Sequence, residues 1–129
     1  MVMKEKQMKR VIDSYIKAYN EFDVDEMVKN IHQDVEFKNI AQGEINVHIK
    51  GIDILKKQAE QSAGLFKKRK MTITQQTIKN DTVENQVDFT GILAMDIPDG
   101  PKTGEIIKIK GKSTFKFKNG KIILIEDVN

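Results

Sequence analysis

Several residue types on which whole classes of site depend are missing or scarce in this chain of 129 residues. It contains no cysteine, which excludes disulfides, thiolate nucleophiles and zinc sites with thiolate ligands, and which agrees with a reducing, cytoplasmic setting. The only histidines, His32 and His48, do not have the spacing of a metal-ligand pair, and the acidic residues are scattered. We therefore expect a cytoplasmic protein with no metal site and no cofactor.

Arginine and long apolar segments are equally scarce. The net charge is +3, but all except two of the 22 basic residues are lysine, whereas recognition of base edges and bidentate binding of phosphate favour arginine. No apolar run approaches the ~18 residues of a membrane span, and the segment that starts at Met1 lacks the apolar core of a signal peptide. We expect a soluble protein with no nucleic-acid partner and no membrane contact.

Apolar periodicity predicts helices in the first half of the chain. Apolar residues between Met8 and Phe22 recur at three- and four-residue spacing, which indicates an amphipathic helix over 4–22. Asp23, followed three residues later by a glutamate, is typical of a capped helix start and predicts a short second helix to about Ile31.

A third helix is predicted after the break at Gly51, over residues 52–67, with an apolar stripe that ends at Phe66. The basic cluster Lys67 to Lys70 then falls at the end of this helix, where cations offset the negative end of the helix dipole. We prefer this interpretation to a phosphate-binding patch.

Alternation with period two predicts strands, and two short turns predict hairpins. The predicted strands are 35–39, 45–50, 71–79, 82–97, 104–118 and a last one after Asn119-Gly120. In the hairpin that turns at Asn80-Asp81 we expect a bulge within Gln75 to Thr77. The order of elements predicts a single α+β domain over 1–129, a cone-shaped half-barrel in which a curved mixed sheet of about six strands wraps around three N-terminal helices.

The two-residue turn at Asn119-Gly120 sets the expected register of the last hairpin. Counting outward pairs Phe117 with Ile122, Phe115 with Leu124 and Ser113 with Glu126. Glu126 would then point toward the covered face, where burial disfavours the charged form. The alternative is a rim position, in which this glutamate reaches water or a lysine.

Four segments carry a resemblance to a known family, namely Tyr15 to Asp25, His32 to Phe37, Lys50-Gly51 and Phe115 to Ile122. On these marks the chain resembles, over nearly its whole length, the nuclear transport factor 2-like superfamily, and within it the SnoaL-like and ketosteroid-isomerase-like small proteins. The resemblance implies a cone-shaped cavity. In such proteins the cavity serves steroid isomerisation, polyketide cyclisation, epoxide hydrolysis or no catalysis.

The resemblance also implies positions for catalytic groups. In ketosteroid isomerases a tyrosine of the first helix donates a hydrogen bond to the substrate carbonyl, a late acid assists it, and an aspartate at the end of the first strand moves the proton. Matching the motifs without gaps puts these groups at Tyr15, Ser113 and Asn39 respectively. Asn39 has no titratable proton, which argues against that mechanism. Polyketide cyclases of this group use a late histidine and aspartate, whereas both histidines here lie in the first half.

Three functional hypotheses remain open. The first is an apolar cavity that binds a small, apolar, carbonyl-bearing molecule. The second is an isomerase, cyclase or hydrolase in which Glu126 shuttles a proton while Tyr15 and Asn39 polarise the substrate. The third is a non-catalytic scaffold that forms a homodimer through the outer face of the sheet, where Thr114, Ile123 and Ile125 would lie. The residues expected to line the cavity are Tyr15, Tyr19, Phe37, Asn39, Phe89, Ser113, Phe115 and Glu126.

Overall fold

The computed structural model describes residues 3–129 as three helices and six strands, which confirms the predicted α+β class. The elements are α1 (Glu5–Asn20), α2 (Val24–Val28), β1 (Ile31–Ala41), β2 (Glu44–Lys50), α3 (Ile52–Ala63), β3 (Phe66–Lys79), β4 (Thr82–Leu93), β5 (Ile106–Lys118) and β6 (Lys121–Val128). Met1 and Val2, with which the predicted domain begins, lie outside the described residues. No helix within 3–129 is both long and apolar enough to cross a membrane.

The six strands form one curved, unclosed sheet in the order β2-β1-β6-β5-β4-β3. Neighbouring strands are antiparallel except β1 and β6, which are parallel, so the sheet is mixed as predicted. The apolar stripe of α1 packs against the inner face of this sheet and buries Met8, Ile12 and Ile16. The core that they share with the strands includes Val35, Val83, Phe115, Phe117, Ile122 and Ile125.

The C-terminal end of α1 is joined to the edge strand β3 by polar contacts. The side chain of Asn20 accepts a hydrogen bond from the Met71 amide at 2.8 Å and donates one to the Met71 carbonyl at 3.2 Å. Arg69 Nε donates to the Tyr19 carbonyl at 2.8 Å. Because an edge strand otherwise leaves backbone groups unpaired, these contacts both protect the edge and fix where α1 ends above the sheet.

All three predicted helices end earlier than expected, the first of them at Asn20 rather than at residue 22. Asp23 caps α2 as predicted, with its carboxylate accepting the Glu26 amide at 3.2 Å, but α2 stops at Val28 and β1 already begins at Ile31. The reason is tertiary, because Ile31 enters the ladder with β6, where it pairs with Ile122.

The third helix ends at Ala63, so the predicted helical position of the basic cluster Lys67 to Lys70 is wrong. This cluster lies on β3, which pairs with β4, and Phe66 begins the strand rather than closing a helical stripe. Alternation along β3 exposes Lys68 and Lys70 and buries Arg69. Dipole compensation is therefore not the role of this cluster.

The hairpin of β3 and β4 contains the expected bulge, one residue earlier than the predicted range. Thr74 is the extra residue, so that Ile73 pairs with Val87 and Gln75 with Gln86. This irregularity brings the apolar residues of β3 to the side of the sheet that faces the helices.

A second bulge changes the register of the last hairpin. Phe117 pairs with Ile122 as predicted, but Ile123 is extra, so Phe115 pairs with Ile125 rather than with Leu124. The predicted pairs of Phe115 and Ser113 are therefore wrong, and so is the predicted outer position of Ile125, which is only 1% exposed. A two-residue loop fixes the pairs beside the turn, whereas a bulge farther along shifts every later residue by one and reverses its face.

Candidate functional site

Two adjoining cavities lie between the inner face of the sheet and the helices. The more enclosed one, with a volume of about 160 Å³, is called the inner chamber, and the other, of about 210 Å³, the outer chamber. Both are lined by Tyr19, Asn39, Ser62, Arg69 and Asp127. The inner chamber adds Tyr15, Met27, Val28, Ile31, Phe37, Val47, Leu55, Gln58 and Ala59. The outer one adds Leu65, Phe66, Met71, Val87, Phe89, Ile109, Gly111, Lys112, Val128 and Asn129. An apolar cavity of roughly 150 Å³ holds benzene, so either chamber has room for one ring.

Asp127 is the acid of this site. It pairs with Ser113 across the β5–β6 ladder, and Ser113 Oγ donates a hydrogen bond to its Oδ1 at 2.7 Å. Asp127 lines both chambers, and the surrounding protein excludes water from its carboxyl. This burial raises the pKa of Asp127 to about 6. The hydrogen bond from Ser113 opposes the shift, and the charge of Glu126 adds to it. A carboxyl with this pKa can both accept and release a proton near neutrality.

Two side-chain amides, those of Asn85 and Gln76, support Ser113 through a chain of hydrogen bonds. Asn85 is fully buried, and its Nδ2 donates to the Ser113 carbonyl at 3.1 Å. Gln76 Nε2 in turn donates to Asn85 Oδ1 at 2.8 Å. These contacts cross from β3 to β5, so they fix the strand position from which Ser113 holds the acid.

Two tyrosines of α1 face the chambers. Tyr15 packs edge to face on Phe115, with ring centroids 5.4 Å apart, and Tyr19 does so on Phe89 at 6.4 Å. Burial, and next the nearby carboxylate of Asp127, raise the pKa of Tyr15, so its phenol stays protonated at accessible pH. Within residues 3–129 neither hydroxyl has a hydrogen-bond partner, which leaves both available to a ligand.

Arg69 supplies a positive charge to the same chambers. It is only 5% exposed, and its guanidinium carbon lies 3.7 Å from the centroid of the Tyr19 ring and 4.7 Å from that of Phe22. Burial lowers the pKa of Arg69, although a guanidinium remains charged at any accessible pH. In the described part of the chain its Nη2 has no hydrogen-bond partner, and no carboxylate oxygen lies within 4.0 Å of the group.

The predicted lining residues are distributed between three places. The chambers are lined by Tyr15, Tyr19, Phe37, Asn39 and Phe89. Phe115 lies beneath Tyr15, and Ser113 holds Asp127, so both support the site from the core. Glu126 does not face Ser113 as expected, since it pairs with Thr114 and lies beside Lys38 on the outer face of the sheet.

Two charged residues of the site are not predicted by the sequence pattern. If the β5–β6 ladder is counted outward from the turn without a bulge, Asp127 falls on the outer face, and the bulge at Ile123 leaves no signal in the sequence. Arg69 falls at a helix end in the predicted third helix, whereas it lies on β3 in the structure. All four residues of the basic cluster carry the same charge, so the sequence there has no period-two pattern that would indicate a strand. Asn39, by contrast, lies beside Asp127 in the parallel ladder, within the site that the sequence predicts for it.

Comparisons with known proteins agree with this architecture. TsrD from Streptomyces laurentii has a TM-score of 0.80 at 16% identity, with 97% of this chain and 89% of that chain covered. A candidate SnoaL-like polyketide cyclase from Jannaschia sp. CCS1 has a TM-score of 0.79 at 15% identity, with coverages of 95% and 85%. An LEH-like epoxide hydrolase from M. tuberculosis has a TM-score of 0.76 at 16% identity, with coverages of 95% and 82%. At these identities the likeness shows the fold alone.

The family assignment rests on the sequence match. No curated protein matches the chain. Residues 12–125, by contrast, match the profile of the SnoaL-like domain. The chain therefore belongs to the SnoaL-like domain family, a member of the nuclear transport factor 2-like superfamily.

Proposed function

We propose that this protein binds a small carbonyl-bearing molecule in the two chambers and transfers a proton on it, with Asp127 as the proton-transfer group. The observation that supports this most is the position of Asp127, which lines a largely apolar cavity and accepts a hydrogen bond from Ser113, and whose burial there raises its pKa to about 6. Asp127 takes the role that the sequence suggested for Glu126, because Asp127 faces Ser113 and the chambers while Glu126 lies on the other face.

The proposed step is removal of a proton from the carbon next to the carbonyl. Above about pH 6 the carboxylate of Asp127 accepts this proton, and the C–H electron pair moves to give an enolate. Tyr15 and Asn39, whose side chains line the inner chamber, are placed to donate hydrogen bonds to the developing oxyanion. Return of a proton to the same carbon exchanges its hydrogen with solvent. In a β,γ-unsaturated ketone the anion is a dienolate, and return of the proton to its γ carbon gives the conjugated isomer with no net change of atoms.

Exchange of hydrogen for deuterium tests this step on simple ketones, whatever the natural substrate is. Small cyclic and aryl ketones would first be screened for thermal stabilisation of the protein, since a ligand that binds the native state raises the midpoint. Each ketone that binds would then be incubated in D₂O, and loss of the proton signal next to the carbonyl followed by NMR. We expect exchange with the wild type, and a loss of about 100-fold or more in Asp127→Asn.

Glu126→Gln is the matched control. It removes the neighbouring carboxyl on the outer face of the sheet and should leave the exchange rate within about twofold, since surface changes of this kind rarely alter a site. If ketones bind but their protons next to the carbonyl do not exchange, the protein binds these molecules without catalysing proton transfer. Exchange that survives in Asp127→Asn would refute the role of this aspartate.

Hydrolysis is the second candidate chemistry. Asp127 and Asn39 both line the inner chamber, where a carboxylate could activate and an amide orient a water molecule, and an epoxide hydrolase is among the proteins of the same fold. Addition of water to an epoxide yields a diol of higher mass. Mass spectrometry of epoxides incubated with the protein therefore distinguishes this reaction from isomerisation.

Homodimerisation and a cytoplasmic location remain predictions. The outer face of β5 carries lysines together with the exposed Ile106, which supplies some apolar surface for a second copy. Sedimentation velocity tests the dimer, and cell fractionation tests the location. A dimer that no ligand stabilises would favour the scaffold hypothesis instead.

A further inference from the structure

Arg69 is a buried cation that no acid of the described chain neutralises. The residue is only 5% exposed, its Nη2 lacks a partner among residues 3–129, and none of the ion pairs formed there includes it. Burying a charge, or a donor that makes no hydrogen bond, costs free energy unless a partner compensates. The arrangement therefore calls for an acceptor from outside the chain.

The obvious counter-ion lies in the same chambers but is held away from Arg69. Asp127 lines both chambers, as Arg69 does, yet no oxygen of its carboxyl lies within 4.0 Å of the guanidinium in the part of the chain that the structure describes. Its Oδ1 is engaged by Ser113 instead. Two opposite charges that share a cavity without pairing leave space for a polar ligand between them.

The structural contacts of Arg69 use only Nε and the plane of the guanidinium group. The Nε atom donates to the Tyr19 carbonyl, and the Tyr19 and Phe22 rings lie 3.7 Å and 4.7 Å from the guanidinium carbon. These contacts join β3 to the end of α1 and fix the plane of the group. They do not use Nη2, and a planar group that is already fixed loses little entropy when it binds a carboxylate.

We propose that Arg69 is an anion subsite and that the ligand of this protein carries a carboxylate in addition to its carbonyl group, which makes it a small oxo acid. The proposal rests on the proposed function, since it names the substrate class of the same chambers. The ligand carboxylate accepts hydrogen bonds from the terminal nitrogens of Arg69. Repulsion from Asp127 keeps that carboxylate at the Arg69 side, so the carbon next to the carbonyl is directed toward Asp127.

A matched pair of ligands isolates the charge. 4-Oxo-4-phenylbutanoate and its primary amide have nearly the same shape and the same ketone, but only the first carries a carboxylate. Isothermal titration at pH 7.5 in low salt should show that the wild type binds the acid about tenfold more tightly than the amide, because hydrogen bonds between ionised partners are roughly twice as strong as neutral ones. Arg69→Met should lose this preference while keeping the affinity for the amide.

Two further variants control for charge and for folding. Arg10→Met removes the only other arginine of the chain, which is exposed on α1 outside both chambers, and should keep the preference for the acid. Arg69→Lys keeps a charge but not the bidentate fork, and should lose most of the preference. It also provides the test should Arg69→Met fail to fold.

The outcomes separate the proposal from the function on which it rests. Equal binding of acid and amide by the wild type, or a preference that survives in both Arg69 variants, overturns the anion subsite. If the amide then still exchanges its α-protons with solvent, the proton-transfer function stands. If neither compound binds and no ketone exchanges, both proposals fall.

Discussion

Ser113 Oγ and Asp127 Oδ1 lie 2.7 Å apart because a single extra residue, Ile123, shifts the register of the last hairpin. Without that bulge the residue opposite Ser113 would be Glu126, and Asp127 would face solvent. A β-bulge, and not the alternation of inward and outward residues counted from the turn, therefore determines which acid faces the candidate site.

The pH dependence of stability should report the burial of Asp127. Its pKa is about 6 in the folded protein against 3.8 for the free group, so the native state binds this proton more tightly than the unfolded state does. The protonated carboxyl therefore stabilises the folded state fully below about pH 4, and this stabilisation is lost as the pH rises through about 6. The total loss in the free energy of unfolding is about 3 kcal/mol. Asp127→Asn lacks this dependence.

Urea unfolding of the wild type and of Asp127→Asn between pH 4 and pH 8 measures the effect. The free energy of unfolding of the wild type should fall relative to that of the variant as the pH rises, and the two curves should diverge mainly between pH 4 and pH 6. Curves that stay parallel across this range would show that the carboxyl is hydrated. Glu126→Gln should follow the wild type, since Glu126 lies on the outer face.

Ser113→Ala should move the pKa of Asp127 further upward. Burial raises this pKa, and the hydrogen bond from Ser113 opposes the shift by stabilising the charged form. Without the hydroxyl, the pH midpoint of α-proton exchange should increase, and stability should fall by about 1 kcal/mol. A pH titration of exchange in both proteins is the measurement, and an unchanged midpoint would contradict the assigned role.

Asn20→Ala should loosen the edge strand beneath the site. The Asn20 side chain makes both hydrogen bonds to the Met71 backbone, and its loss leaves these edge groups unpaired. We expect a loss of stability of about 1–2 kcal/mol and faster hydrogen exchange at the Met71 amide. Asn46→Ala, at an exposed position of β2, is the control, and equal protection of Met71 in both variants would argue against this link.

The elements that could be predicted are those whose pattern is local. The stripe of Met8, Ile12 and Ile16 specifies one helical face, and Asn119-Gly120 specifies a tight turn, because both signals depend on residues that are neighbours in the sequence. The fold family follows from a combination of such signals. Tyr15 and Asn39 could therefore be assigned to the cavity from the sequence.

The two charges of the site could not be predicted, because their positions depend on distant strands. β6 pairs with β1 on one side and β5 on the other, and the bulge at Ile123 lets Ile125 enter the core shared with both. Residues around Arg69 include good helix formers and become a strand only through pairing with β4. Tertiary contacts override local propensity in both places.

Gly111→Ala tests how closely the C-terminal end of the chain approaches the outer chamber. A Cβ added at Gly111 would lie 2.6 Å from the Val128 carbonyl oxygen and 3.3 Å from Asn129 Cβ. Since the first of these atoms belongs to the backbone of β6, it can move only by displacing the strand that carries Asp127. We expect a loss of about 1–3 kcal/mol in unfolding free energy.

Gly64→Ala is the matched control, because its nearest contact would be an ordinary 3.4 Å and its backbone is right-handed helical. It should change stability by less than about 0.5 kcal/mol. Displacement of β6 in Gly111→Ala should also reduce α-proton exchange, whereas Gly64→Ala should keep it. Equal stability and equal exchange in the two variants would contradict this prediction. In that case the end of β6 could move away from the added methyl group without displacing the Asp127 carboxyl.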